Sequence, residues 1–295
     1  MGKIVNKKTM PYLLLLPTFL YFAAFWLIPV IQCIRMSFQT PEGAYTLANY
    51  SFVFNDPVYP LALWNTVIFV AVSVSIEFVL ALFLAILVNK KFRGVGVLLF
   101  LAMLPMTIPA IASAAMWQTG FTDYGWFNSL LYHLGIITSE FPVSWLSGGR
   151  WSMLILIIIL DAWGSIPSIM IIILAGLQGL PDEAKEAGYT FGAKKQTVIW
   201  KIVVPMIKPT IVTAVILRII SAIQIWMLIL ILFNYGRLPV LLSRIVYWSE
   251  KMVTIKNYQQ IAATYTVVLA VIITIVAIGY LYASGAIGSK KGKQL

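Results

Sequence analysis

Residues 180–209 read LPDEAKEAGYTFGAKKQTVIWKIVVPMIKP, a polar island between two long hydrophobic runs, and the reading of the whole chain turns on it. Pro181 suits the first turn of a helix, Asp182 and Glu183 suit the positive end of its dipole, and Gly192 suits its stop. Ala184, Ala187, Gly188 and Phe191 follow at i, i+3, i+4 and i+7. That spacing draws one narrow apolar stripe along a short helix and leaves Glu183, Lys185 and Glu186 on the wet side. Small residues on such a stripe let the backbone of another protein approach closely. Two readings stand side by side: a docking helix, or a surface helix lying on a bilayer.

Outside the island the chain is strongly apolar. Its 295 residues are 61% hydrophobic and only 11% charged, where a soluble domain carries roughly 25% charged residues. The composition is that of a polytopic membrane protein. Cys33 is the single cysteine and allows no intramolecular disulfide, and His133, the single histidine, excludes a histidine-rich metal or catalytic site. The net charge of +11 could suggest nucleic acid, but the basic residues sit in short segments beside hydrophobic runs, as membrane orientation requires.

The hydrophobic runs predict an all-α bundle of six transmembrane helices in a single domain, with spans at about 11–38, 61–88, 95–117, 151–175, 210–233 and 261–283, and the island between spans four and five. The first run follows Lys3, Lys7 and Lys8 like a signal peptide, but it is too long for one and lacks a small-residue cleavage site, so a retained span is expected. Pro17 and Pro29 are expected to bend it, and Pro105 and Pro109 to break span three.

Charge sets the orientation. Of the 21 Lys and Arg, fourteen fall in the segments placed inside: Lys3, Lys7 and Lys8, then Lys90, Lys91 and Arg93, five lysines of the island, and Lys290, Lys291 and Lys293. Six fall in outer segments or at their edges: Arg35, Arg150, Arg237, Arg244, Lys251 and Lys256. Arg218, within span five, completes the count. The bias predicts that both termini and the island are cytoplasmic.

Glu186-Ala187-Gly188, then Gly192 with Ala193, then Ile202, Pro205 and Pro209 at the following spacing, resemble the EAA loop of ABC importer permeases. The usual form is Glu-Ala-Ala; here Gly188 takes the place of the second Ala, and Phe191 stands where sugar-type members often have Asp. The resemblance extends along the chain in order: PYLLLLPTFLYFAAFWLIPVIQCIRMSF, Asn49-Tyr50, Asn65-Thr66, NKKFRG, Leu104-Pro105 with Pro109, Trp117, Gly125 with Asn128, and Ala175-Gly176-Leu177-Gln178 before the loop. These are similar to carbohydrate-uptake members, the maltose and glycerol-phosphate importer permeases. The resemblance implies a permease subunit of the prokaryotic inner membrane. It implies a second permease, two cytoplasmic ATPase subunits that bind ATP and magnesium, and an extracytoplasmic binding protein that delivers a sugar or oligosaccharide. It further implies that Glu183, Glu186, Ala187, Gly188, Phe191, Gly192, Ala193 and Pro205 couple the chain to the ATPase. No Gly-x-x-x-x-Gly-Lys-Ser/Thr loop occurs, so this chain does not itself bind ATP in that way.

Glu77, Asp161 and Arg218 lie inside spans, where each ionisable group needs a reason. Asp161 with Trp163 suits a sugar, whose hydroxyls want acceptors and whose C–H face wants an aromatic plane; the alternative is a structural ion pair or helix packing. Ser221, Gln224 and Trp226 of span five are further pathway candidates. For Arg218 the preferred reading is structural, paired with Glu77, Asp161 or carbonyls of another subunit. It also leaves room for glycerol phosphate or another polyol derivative, since a cation could meet a phosphate. A secondary transporter using Glu77 and Asp161, and an integral membrane enzyme, are the rival classes.

Overall fold

A computed structural model describes residues 10–90, 92–138, 142–251 and 258–286. The charge markers Lys3, Lys7, Lys8, Lys91, Lys256, Lys290, Lys291 and Lys293, and both termini, lie outside the described residues.

Helix is the backbone's only economical choice in lipid, because it satisfies every N–H and C=O within its own segment. The helices are α1 (Met10–Phe22) and α2 (Ile28–Ser37), joined by a π-turn at Ala23–Leu27, then α3 (Ala48–Asn55), α4 (Tyr59–Val88), α5 (Val95–Thr107), α6 (Ala110–Gly120) and α7 (Trp126–His133). They continue with α8 (Arg150–Gln178), α9 (Asp182–Thr190), α10 (Lys195–Val198), a π-turn at Ile199–Val203, α11 (Val204–Met206), α12 (Lys208–Ile223), α13 (Met227–Arg237), α14 (Leu241–Lys251) and α15 (Tyr258–Ala283). No strand forms among the described residues. Among the described residues five stretches are long and apolar enough to cross a bilayer: Tyr12–Ser37, Tyr59–Val88, Arg150–Gln178, Lys208–Arg237 and Tyr258–Ala283.

Two spans are interrupted in the structure, span three as expected and span five not. Span three is not a continuous rod: α5 and α6 meet at 93°, and only if the pair counts as one span does the number reach six. Ile108 is driven into extended backbone by the ring of Pro109 that follows it, so α5 must stop there. Pro105, by contrast, is accommodated within α5. Span five breaks as well. Between α12 and α13, Gln224, Ile225 and Trp226 leave the helix, with Trp226 at φ −156° and ψ −43°.

The chain divides into two compact units, Met1–Tyr59 with Arg244–Val271, and Pro60–Ser243 with Ile272–Leu295. In the first unit, the end of α2 is tied down by polar contacts: the Ser37 hydroxyl pairs with that of Tyr50 at 2.8 Å, and Asn49 donates to the carbonyls of Ser37 and Gln39. Buried Asp56 accepts from the Val58 N–H at 2.9 Å, the Arg244 guanidinium and the Tyr265 hydroxyl. Burial raises the Asp56 carboxyl, but these three donors and the Arg244 charge together outweigh it and hold the group below the usual carboxylate range.

In the second unit, two apolar clusters stack along α4 and α8. One gathers Phe69, Phe121, Leu154, Ile157, Ile229 and Phe233; the other gathers Ala81, Ala85, Met170, Ile173, Leu177, Val198, Val203 and Ile207. The Asn65-Thr66 pair fastens two connections. Asn65 donates to the Pro239 carbonyl at 2.7 Å and accepts from Arg150, while the Thr66 hydroxyl accepts the Leu241 N–H at 3.0 Å. Asn128 does the same for the loop after α6: it donates to the Thr122, Asp123 and Val143 carbonyls and accepts from the Trp145 indole.

Candidate functional site

The island folds as its local chemistry demands. With Pro181 in extended backbone and Asp182 and Glu183 in the first turn, α9 starts where the sequence places it. Its end is a Schellman turn. Gly192 adopts φ +75°, its N–H returns to the Tyr189 carbonyl at 2.9 Å, and the Ala193 N–H reaches the Gly188 carbonyl at 3.0 Å. After the turn the chain comes back through α10 and the π-turn, and Val198, Val203 and Ile207 enter the same apolar cluster as Leu174 and Leu177 of α8. Pro205 and Pro209 each occupy the opening turn of a helix, where the missing N–H costs nothing.

The expected single stripe of Ala184, Ala187, Gly188 and Phe191 is divided between two sides. Gly188 is buried and turned toward its own chain: a Cβ there would stand 2.7 Å from Ile202 Cδ1 and 3.0 Å from Val198 Cγ2. The small residue therefore permits α9 to lie on the returning segment. Ala193 also packs against that apolar cluster. Glu183, Glu186, Ala187 and Pro205 are exposed, and Phe191, just past the helix, is 90% exposed. Lys185 is half-buried and pairs with Asp182 at 2.9 Å. The outcome is a short helix with one side fixed to the bundle core and the other presenting two carboxylates and an aromatic ring.

The pathway candidates are only partly brought together. Arg218 of α12 is buried and grips Glu77 of α4 in a fork, with Nε on Oε2 and Nη2 on Oε1. The same Nη2 reaches Oδ2 of Asp161 on α8. Ser73, one turn before Glu77, donates to Oε1 of Glu77 at 2.6 Å, and Nη1 of Arg218 donates to the Ser221 hydroxyl at 3.1 Å. Asp161 and Ser221 thus meet through Arg218. The structural ion pair foreseen for Arg218 is present, and Glu77 and Asp161 are both its partners. Trp163 turns away from this cluster and stands edge-on to Trp117, with ring centroids 5.4 Å apart. Trp117 also packs on Phe121 and Trp126, and its own indole nitrogen is buried without a partner among the described residues.

Gln224 and Trp226 occupy the break between α12 and α13. Irregular backbone at membrane depth persists only where it is packed in protein or lines a water-filled cavity. Here Ile225 is buried while Gln224 is exposed, so the break presents a polar side chain beside the exposed Ser221. Sequence reasoning passed over the Asp56–Arg244–Tyr265 cluster, having used Arg244 only as a marker of sidedness. Two charged residues of opposite sign in separate segments between the hydrophobic runs were the available signal. Ser73 was also passed over, though it lies four residues before Glu77 on one helix face.

Comparison with known proteins bears on this arrangement. A family model described as the inner membrane component of binding-protein-dependent transport systems matches residues 77–286. The trehalose/maltose transport system permease protein MalF of Thermococcus litoralis is 33% identical over 232 residues, covering 76% of this chain and 77% of the relative. The lactose transport system permease protein LacF of Rhizobium radiobacter is 30% identical over 220 residues, covering 73% of each. Among solved structures, a bacterial alginate ABC transporter in complex with an alginate pentasaccharide-bound periplasmic protein aligns with a TM-score of 0.82 at 21% identity, over 97% of this chain and 98% of that one, a likeness of fold. The family match takes in Glu77, Asp161, Arg218 and the whole of the island, and on this ground the chain belongs to the inner membrane components of binding-protein-dependent transport systems.

Proposed function

We propose that this chain is a permease subunit of an ATP-driven importer, and that it forms part of the pathway for a sugar or oligosaccharide delivered by an extracytoplasmic binding protein. A second permease completes the pathway. Two ATPase subunits on the cytoplasmic side hold ATP and Mg²⁺, and this chain carries no cofactor of its own. Both termini and the island face the cytoplasm, as the Lys and Arg bias requires.

The observation that carries the reading is α9. A helix clamped to the apolar cluster through Gly188, Val198 and Val203, with Glu183, Glu186, Ala187 and Phe191 exposed, is built to receive a push and pass it on. Closure of the ATPase pair would move α9, and its link through Ile207 would carry that movement into α8 and α12, the helices that bear Asp161 and Arg218. Such rigid-body rocking exchanges inward and outward openings. The break at Gln224–Trp226, with Ser221 beside it and Asp161 behind Arg218, supplies hydroxyl and carboxyl partners for a sugar at mid-membrane. Trp163 and Trp117 offer aromatic planes. The exposed apolar first span, with Tyr12 76% and Phe25 71% accessible, gives lipid and the second permease a surface to cover.

The relatives named for trehalose, maltose and lactose support a sugar over glycerol phosphate. Arg218, the cation that left phosphate open, has all three of its guanidinium nitrogens engaged by Glu77, Asp161 and Ser221. Family membership also sets aside the ion-gradient and enzyme readings. Reconstitution in proteoliposomes with the cognate ATPase, second permease and binding protein tests the proposal: uptake of a radiolabelled disaccharide such as trehalose or maltose should require both ATP and the binding protein. Uptake that persists without ATP and follows an imposed ion gradient would contradict it.

A further inference from the structure

The polar cluster on α4, α8 and α12 has an unbalanced charge. Glu77, Asp161 and Arg218 each lie near the middle of a stretch long enough to span a membrane, and each falls between the two apolar clusters of its unit. The Glu77 side chain is fully buried and that of Arg218 is 6% exposed, while Asp161 retains 19%.

The donors are distributed unequally. Glu77 takes two N–H groups of Arg218 and the Ser73 hydroxyl, which is the full complement of a forked guanidinium–carboxylate pair. Asp161 receives on Oδ2 only the shared Nη2, with the Ser73 hydroxyl at 3.5 Å, and its Oδ1 accepts from no described residue. Among the described residues no second cation is at hand. On α8 the other charged residue is Arg150, at the first position of the helix, where it bonds Asn65. On α12 it is Lys208, also at the first position; α4 adds only Tyr59 at its start; and α5 and α6 carry no titratable side chain. On α13, Tyr235 and Arg237 lie in the last turn, and Arg237 bonds the Leu146 and Gly148 carbonyls. One guanidinium therefore faces two carboxyl groups. Ionised together, they would leave a net negative charge in the least polarisable part of the molecule, which a single proton removes.

We propose that Glu77, Asp161 and Arg218 form a proton-binding site in the membrane interior, with one shared proton carried by the carboxyl group of Asp161, the one that holds fewer donors. Because Oδ2 receives the guanidinium N–H, the proton resides on Oδ1. The site clasps three helices without a net charge, and it needs no proton flux through the protein.

Infrared spectroscopy on the assembled transporter in lipid tests this independently of the solute carried. The wild-type minus Asp161→Asn difference spectrum at neutral pH should show the C=O stretch of one protonated carboxyl group, moving on exchange into D₂O. Asp161→Asn has the shape and charge of the neutral acid, so the complex should assemble and melt as the wild type does. Glu77→Gln should also lose the band, since Asp161 must then ionise to balance Arg218. A wild-type minus Asp161→Asn difference without that band would overturn the proposal, as would a band that survives in Glu77→Gln.

Discussion

Asp56 shows how a single loop residue can carry more than its position suggests. It accepts from a backbone N–H, a guanidinium and a phenol, and the two side-chain donors come from α14 and α15, distant in sequence. Its carboxyl is held below the usual range, so its contribution to stability is full above the unfolded value of about 4 and is lost as pH falls through the lower, folded value. Thermal melting of the purified protein between neutral and acidic pH should show that loss, and Asp56→Asn should melt lower at neutral pH and with a flatter acid dependence. Equal slopes in the two proteins would contradict the assignment. At this scale the sequence named the kind of contact and, among its candidates for Arg218, the two partners found, Glu77 and Asp161, but not the geometry that joins them. An arginine inside an apolar run announces that it is paired, and Arg218 is. That Glu77 takes the fork and Asp161 the leftover donor depends on helix packing between residues 141 and 57 positions apart, which no local spacing encodes.

At the scale of the element, α9 depends on what Gly188 lacks. A methyl group at that position makes the flexible end of Ile202 shift and Val198 give by a few tenths of an ångström, whereas a branched side chain drives further into both. Gly188→Ala is therefore expected to leave stability and transport close to wild type, and Gly188→Val to lift α9 off its bed at a cost of about 1–3 kcal/mol. Melting temperature and ATP-driven uptake measured on both variants check this; a Gly188→Val protein equal to wild type in both would mean that α9 is not seated there. The limits of α9 were legible from Pro181, the two acids and Gly192. The division of its stripe was not, because the surface that covers Gly188 arrives from the returning strand of chain after the π-turn. The two interrupted spans differ likewise. Pro105 and Pro109 announced a break in span three, though not a 93° bend, while Gln224-Ile225-Trp226 contains neither proline nor glycine and reads as uninterrupted helix.

For the molecule as a whole, composition and the distribution of Lys and Arg carried most of the reading. An all-α chain with so few charges, placed mostly on one side of its hydrophobic runs, can only be threaded through a bilayer. The order of short motifs around the island gave the resemblance to the family, and the match over residues 77–286 shows it. The order of motifs also pointed to a sugar, as the relatives named for trehalose, maltose and lactose do; which sugar lay beyond such reasoning, since hydroxyl and carboxyl groups at mid-membrane suit many polar molecules. The central claim is that the exposed side of α9 receives the work of ATP hydrolysis. The most direct measurement is ATP hydrolysis stimulated by the binding protein, together with uptake, in proteoliposomes containing the full transporter with wild-type, Glu186→Ala or Phe191→Ala subunits. The account predicts that both variants assemble and both activities fall together by roughly tenfold or more, the equivalent of about 1.4 kcal/mol of lost docking. Full coupled activity in both variants would contradict it.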